Sequence, residues 1–212
     1  MITLIDYGVG NIFAFQNAYK RLNITTKIAK TKQDLIDVEK LILPGVGSFD
    51  YAMNQLNASG MREILDKLVL ERKIPIIGIC VGMQMMGNRS DEGKLEGLKW
   101  IDSEILKFDE NLIQQRTKLP HMGWNLIDVA PTSDLFAGVE KERFYFVHSF
   151  AAQNWEEDPH SPLKKAKVSW SNYGGNFIAA VENGPLSATQ FHPEKSGDAG
   201  AKLIENWIAK CA

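Results

Sequence analysis

The sequence predicts an α/β fold in which helices cover both faces of a mostly parallel β-sheet. Short β-rich segments alternate with helical periodicity through the first half of the 212-residue chain, as in consecutive β-α units. The segment 75–79 is continuously apolar, which is typical of a strand buried on both faces. More extended segments follow in the second half, where we expect additional antiparallel strands. No linker or repeat divides the chain, so a single domain over residues 1–212 is expected.

The first half is expected to hold four strands and four helices. Apolar residues recur at three-to-four spacing at Ile12, Phe15, Tyr19 and Leu22, which predicts the first helix. The other helices are expected around 33–38, up to Leu56, and over 61–70. The expected strands are 2–5, 24–29, 41–43 and 75–79.

The second half is expected to be richer in strands. Asn183-Gly184 is a typical hairpin turn and leads into a strand at 188–191. The last segment is an amphipathic helix whose apolar face includes Trp207 and Cys211, so Cys211 is expected to be a packing residue. The other extended segments are 100–108, 124–129, 143–148, 167–170 and 177–182.

The composition excludes several function classes. With 24 Lys+Arg against 26 Asp+Glu the net charge is −2, and no basic run is present, so no nucleic-acid partner is expected. The apolar stretches are too short to span a membrane, and the start lacks the basic segment of a signal peptide. Two cysteines, Cys80 and Cys211, cannot form a disulfide framework or a zinc site, so we expect a reducing, cytoplasmic location.

Cys80 is the candidate nucleophile. It follows the buried strand and lies between Gly78 and Gly82. Glycines at these positions let the strand and the next helix approach closely at a sharp turn, which projects the central side chain outward as in a nucleophile elbow. The N-terminus of the following helix favours a thiolate. The alternative is a small buried cysteine at a tight turn.

A cysteine nucleophile needs a base, because a free thiol with a pKa of about 8.5 is only a few per cent thiolate at neutral pH. His192 is the candidate, since Pro193 is expected to keep the backbone extended and so to turn Glu194 toward the same side as His192. Glu194 would then fix the imidazole tautomer. The alternative is a surface ion pair. His160 lies in an acidic segment with no supporting pattern.

The loop 44–47 follows the third strand and contains Gly45 and Gly47. Two glycines there free backbone N–H groups to face a substrate oxygen, as acyl transfer requires for its oxyanion. A dinucleotide loop is excluded by spacing, because the third glycine position of that motif falls on Asp50, and on Phe13 for the similar loop at Gly8. With no phosphate-binding or zinc motif present, neither a cofactor nor a metal is expected.

Together these features resemble the class I glutamine amidotransferase family. More narrowly, they resemble the branch of that family that supplies ammonia to imidazole glycerol phosphate synthase, and the resemblance covers essentially the whole chain. The segments that carry it are 5–11, 44–47, 78–84, 120–125, 145–150 and 188–196.

The resemblance implies a flavodoxin-like fold and a catalytic triad of Cys80, His192 and Glu194. It implies that L-glutamine is hydrolysed and that the ammonia passes to a (β/α)8-barrel cyclase partner in histidine biosynthesis, the two chains forming a heterodimer. Oxyanion donors would come from Val46, Gly47 and Val81, and the glutamine head group would be held by Gly47, Gln84, Glu92, Ser149 and Phe150. Candidate docking residues are Asn11, His121, Met122 and Trp124.

Three other interpretations remain at the level of sequence. A related glutaminase could supply another acceptor, such as a sugar that becomes amidated, because acceptor choice depends on the partner. A cysteine peptidase or acyltransferase could use a similar scaffold. A non-catalytic regulatory subunit is disfavoured because Cys80, His192 and Glu194 are all present.

Overall fold

The computed structural model describes residues 1–140, 143–153 and 166–210. Its centre is a seven-stranded sheet formed by β1 (Ile2–Ile5), β2 (Thr26–Ala29), β3 (Lys40–Gly45), β4 (Ile76–Cys80), β10 (Lys167–Asn172), β11 (Asn176–Asn183) and β12 (Leu186–Thr189). The strand order is β10-β11-β12-β4-β3-β1-β2. The five strands from β12 to β2 are parallel, and β11 and β10 are added antiparallel at one end.

Two smaller sheets account for the other described strands. One contains β5 (Arg89–Ser90), β6 (Glu104–Lys107) and β9 (Phe150–Ala152). The other is the antiparallel pair of β7 (His121–Leu126) and β8 (Arg143–His148). The predicted antiparallel additions are therefore confirmed, together with the hairpin turn at Gly184, where Asn183 pairs with Leu186.

Five α-helices are described. They are α1 (Ile12–Arg21), α2 (Phe49–Ala58), α3 (Arg62–Asp66), α4 (Val81–Met85) and α5 (Gly197–Lys210). Single 3₁₀ turns occupy Lys32–Leu35 and Pro193–Lys195, and a π-helical turn occupies Lys67–Glu71. No helix in the described ranges is long and apolar enough to cross a membrane.

Several predicted bounds were wrong. The helix expected around 33–38 is only the 3₁₀ turn Lys32–Leu35, which Asp34 closes by accepting the N–H of Lys30 and Thr31. The extended segment 100–108 contains a strand only at Glu104–Lys107. The helix predicted over 61–70 is divided between α3 and the π-helical turn. These differences arise because tertiary contacts override local propensity at the ends of elements.

The core lies around the central strands. Every residue of β4 and of β12 is buried, so both faces of the sheet are covered there, as the apolar segment predicted. From α5, Leu203 and Trp207 are fully buried in the same core. Cys211 and His160 lie outside the described residues.

Candidate active site

Cys80 lies at a sharp turn between β4 and α4. Its backbone has φ 55° and ψ −114°, a conformation that residues other than glycine rarely adopt and that is found at strained functional turns. The strain is held in place by the buried strand before it and the helix after it. The predicted elbow geometry is therefore confirmed for the backbone.

The glycines beside Cys80 are needed for close packing. A Cβ atom added to Gly82 would lie 1.9 Å from the Leu43 carbonyl oxygen, and one added to Gly78 would lie 2.8 Å from Met86 Cε. Gly45, at the end of β3, approaches the same turn, since its added Cβ would lie 2.4 Å from the Gly82 nitrogen. Glycine at these positions therefore lets the loop 44–47, which is the predicted oxyanion loop, contact the elbow.

His192 and Glu194 form a buried pair. His192 Nδ1 lies 2.7 Å from Glu194 Oε1, and both side chains are almost fully buried. The pairing was predicted for the wrong reason. His192 itself is extended, but Pro193 begins a 3₁₀ turn, because its fixed φ suits the first position of a helix. The turn, and not an extended backbone, brings Glu194 against the imidazole.

The surroundings of His192 favour its protonated form. Burial acts to lower the pKa of this imidazole, but the Cys80 sulfur and the Glu194 carboxylate together outweigh it and raise the pKa to about 10. His192 Nε2 is buried and makes no hydrogen bond within the described part of the chain. It is therefore available to hold a proton near the sulfur and near whatever enters the site.

One cavity of about 310 Å³ brings the predicted residues together. It opens over the elbow, and Glu194 lies behind His192 without lining it. Gly47, at φ 83°, has open space around its Cα. The lining includes every predicted oxyanion and head-group residue along with two of the triad: Val46, Gly47, Cys80, Val81, Gln84, Glu92, Ser149, Phe150 and His192.

Gln190 is a site residue that sequence reasoning missed. Its side chain is fully buried, and its Nε2 donates to Cys80 Sγ at 3.8 Å while its Oε1 accepts from Gln84 Nε2 at 3.1 Å. Gln84 Nε2 also donates to the Phe150 carbonyl at 2.9 Å. The Gln84 amide nitrogen is thus committed to the protein, and only its oxygen remains for a substrate. The available signal was a polar glutamine inside the predicted strand 188–191, two residues before His192.

His121 does not belong to a docking surface, so this prediction needs correction. The side chain is 4% exposed and stacks on Tyr173, with ring centroids 4.1 Å apart. His121 Nδ1 lies 3.1 Å from His148 Nε2, and His148 Nδ1 lies 2.9 Å from the Phe150 carbonyl. Burial lowers the pKa of His121 to about 4 and, with the charge of His121, that of His148 to about 3. Both imidazoles are neutral at pH 7.

The other predicted docking residues have accessible positions. Side chains alternate along β7, so that His121 faces inward while Met122 and Trp124 are 62% and 50% exposed. Leu126, which was not predicted, continues the exposed row. Asn11 is exposed and caps α1, because its side chain accepts the Ala14 N–H at 3.1 Å.

Comparison with known proteins identifies the family. A family model described as glutamine amidotransferase class-I matches residues 3–211, and the chain belongs to that family. A relative from Bdellovibrio bacteriovorus is 48% identical over 208 residues, covering 98% of each chain. A second, from Leptospira borgpetersenii, is 44% identical over 210 residues, covering 99% of this chain and 100% of its own. Both are called imidazole glycerol phosphate synthase subunit HisH, and the chain belongs with these subunits within the family.

Solved structures share the fold. A glutamine amidotransferase crystal structure has a TM-score of 0.75 at 18% identity, covering 99% of this chain and 98% of its own. The structure of PurLQS from Thermotoga maritima has a TM-score of 0.68 at 18% identity, covering 100% of this chain and 98% of its own. The predicted α/β fold is thereby confirmed.

Proposed function

We propose that this protein hydrolyses L-glutamine to glutamate and ammonia as the glutaminase subunit of an imidazole glycerol phosphate synthase, in histidine biosynthesis. A single domain, residues 1–212, carries the activity. The observation that supports it most is that Cys80, His192 and the oxyanion loop open on one cavity, with Glu194 paired to the imidazole from behind. A free thiol nucleophile suits a reducing compartment, and we place the protein in the cytoplasm.

In the first half of the reaction, Cys80 Sγ attacks the side-chain amide carbon of glutamine. The carbonyl oxygen gains negative charge, which the N–H groups of Val81 and of the loop at Val46 and Gly47 stabilise. His192, held as an imidazolium, gives its proton to the amide nitrogen. The C–N bond then breaks, ammonia leaves, and a γ-glutamyl thioester remains on Cys80.

In the second half, neutral His192 takes a proton from water, and the resulting nucleophile attacks the thioester carbon. The C–S bond breaks, glutamate is released and the Cys80 thiolate returns beside the imidazolium. Glu194 keeps the His192 ring in one orientation throughout, and its carboxylate stabilises the cation.

The glutamine head group is held at the mouth of the cavity. Glu92 pairs with the α-ammonium, while Gly47, the Gln84 amide oxygen and the backbone of Ser149 and Phe150 surround the rest. The Phe150 carbonyl already accepts two hydrogen bonds, from Gln84 and His148, so it is not free for the substrate. Phe150 therefore contributes its N–H and its packing.

A partner is required because ammonia released into water at neutral pH is mostly protonated and loses its nucleophilicity. The partner is a (β/α)8-barrel cyclase that forms a heterodimer with this chain and receives the ammonia through a closed path. The docking surface is formed by Asn11, Met122 and Trp124. Docking selects the backbone arrangement of the Gly45–Gly47 loop in which its N–H groups face the oxyanion.

The decisive experiment is Cys80→Ala in the reconstituted complex with the cyclase subunit. We expect loss of glutamine-dependent synthesis and nearly unchanged synthesis from added ammonium salts, because only the glutaminase step uses the thiol. Cys211→Ala is the matched control and is expected to affect neither. Retained glutamine-dependent activity in Cys80→Ala would refute the mechanism, and loss of both activities would indicate a structural role for Cys80.

A further inference from the structure

The Asp50 carboxylate, in the first turn of α2, holds the segment 92–95 by hydrogen bonds. Asp50 Oδ1 accepts the Leu95 N–H at 3.0 Å, and its Oδ2 accepts the Lys94 N–H at 2.9 Å. Asp50 is the second residue of α2, which begins at Phe49. One side chain therefore satisfies two backbone donors of a neighbouring loop and fixes that loop against the helix.

The approach of Asp50 to this loop is close. A Cβ atom added to Gly93 would lie 1.9 Å from Asp50 Oδ1. Because any other side chain at position 93 would displace the carboxylate, the glycine and the aspartate form a matched pair. The carboxylate thus occupies the space that a side chain would fill.

Glu92, directly before this glycine, completes the connection. Its Oε2 accepts the Phe49 N–H at 2.8 Å, at the N-terminus of α2 where a negative charge is stabilised. Its Oε1 makes no hydrogen bond in the described part of the chain, and Glu92 lines the cavity. The free oxygen is thus left for a cation at the cavity mouth.

We propose that Asp50 is a positioning residue for glutamine recognition. By holding the 92–95 segment against α2, it keeps the Glu92 carboxylate at a fixed distance from the oxyanion loop, which leads directly into the same helix. The site then selects a substrate whose cationic amino group reaches the Glu92 carboxylate while its amide reaches the oxyanion loop. The inference rests on the proposed glutaminase function and adds a residue that does not touch the substrate.

The test compares Asp50→Ala and Asp50→Asn with Asp34→Asn in the reconstituted complex. Asp34 is the matched control, because it also accepts two backbone N–H groups, from Lys30 and Thr31, and does not line the cavity. We expect KM for glutamine to rise about tenfold in Asp50→Ala and less in Asp50→Asn, with kcat within about threefold of the unmodified protein. Ammonia-dependent synthesis and the control variant should be unchanged.

A second measurement separates positioning from general loosening. Glutaramate is glutamine without its α-amino group, so the kcat/KM of its hydrolysis should not depend on Glu92. We expect Asp50→Ala to leave kcat/KM for glutaramate within about twofold, and the Asp50→Ala and Glu92→Gln effects on glutamine KM to be non-additive.

Equal losses for glutamine and glutaramate, additive effects, or an unchanged glutamine KM would each overturn the proposal. Failure of the proposed function would look different, because the unmodified complex would then not turn over glutamine at all.

Discussion

At the scale of single residues, environment rather than residue type assigns the histidines their roles. His192 faces a sulfur and a carboxylate, which raise its pKa to about 10 against the opposing effect of burial. His121 and His148 are buried among aromatic rings and lie within hydrogen-bond distance of each other, and burial is the main reason that their pKa values fall to about 4 and about 3. At neutral pH one imidazole can therefore donate a proton to a leaving group, while the other two serve as fixed neutral hydrogen-bonding groups.

Glu194→Gln tests the origin of the raised pKa of His192. The amide keeps the shape of the carboxylate but removes its charge, so the imidazolium loses a stabilising neighbour and its pKa should fall. Because protonated His192 is required when ammonia leaves, the alkaline limb of the glutaminase pH profile should move to lower pH. We also expect kcat to drop roughly a hundredfold or more, since the amide NH₂ can donate to Nδ1 and so stabilise the wrong imidazole tautomer.

The pH dependence of kcat/KM for glutamine measures this shift. Glu205→Gln is the control, because Glu205 lies on α5 with its side chain about half exposed and paired with Lys202. An alkaline limb that stays in place in Glu194→Gln would contradict the charge argument.

At the scale of elements, the site depends on how closely the end of β3 packs against the turn between β4 and α4. Gly82 touches the Leu43 carbonyl, and Gly45 touches Gly82. Helix α4 is only five residues long, so it is held by these contacts and by the adjoining core rather than by its own propensity.

Gly82→Ala should therefore be severely destabilising. The added methyl group would lie within 1.9 Å of a backbone oxygen that is part of the central sheet and cannot move aside. We expect a loss of about 3 kcal/mol or more in the free energy of unfolding, measured by urea titration. Gly175→Ala is the matched control, because its added Cβ meets nothing within 4 Å, and it should change stability by less than about 1 kcal/mol. Equal stability of the two variants would refute the packing argument.

At the scale of the whole molecule, β7 connects the interior to an exposed apolar row. One face of the strand places His121 among the rings of Phe146, Tyr173 and Phe177. The other face exposes Met122, Trp124 and Leu126. Apolar side chains exposed in a row are typical of an interaction surface.

Trp124→Ala should weaken binding of the cyclase partner by about 2 kcal/mol, or roughly thirtyfold in Kd, as expected for an aromatic side chain central to an interface. Titration calorimetry with the purified partner measures the change. Ile36→Ala is the control, since Ile36 is 60% exposed and lies outside β7, in the connection between the 3₁₀ turn Lys32–Leu35 and β3. Equal effects of the two variants would mean that the β7 face is not the docking surface.

The sequence by itself predicted the parallel sheet, the hairpin at Gly184 and the elbow at Cys80. These features depend on local patterns: a continuously apolar strand, a turn dipeptide, and glycines flanking one cysteine. It also paired His192 with Glu194, although through an extended backbone instead of the 3₁₀ turn that forms at Pro193.

Only the tertiary structure decided three further contacts between residues that are distant in the chain. In the folded chain Gln190 donates to the Cys80 sulfur, and His121 lies inside, next to His148. Asp50 holds the segment 92–95 against α2. None of these contacts appears in the periodicity of the sequence, because each joins residues that are far apart in the chain. Their partners are chosen by packing, which no local pattern records.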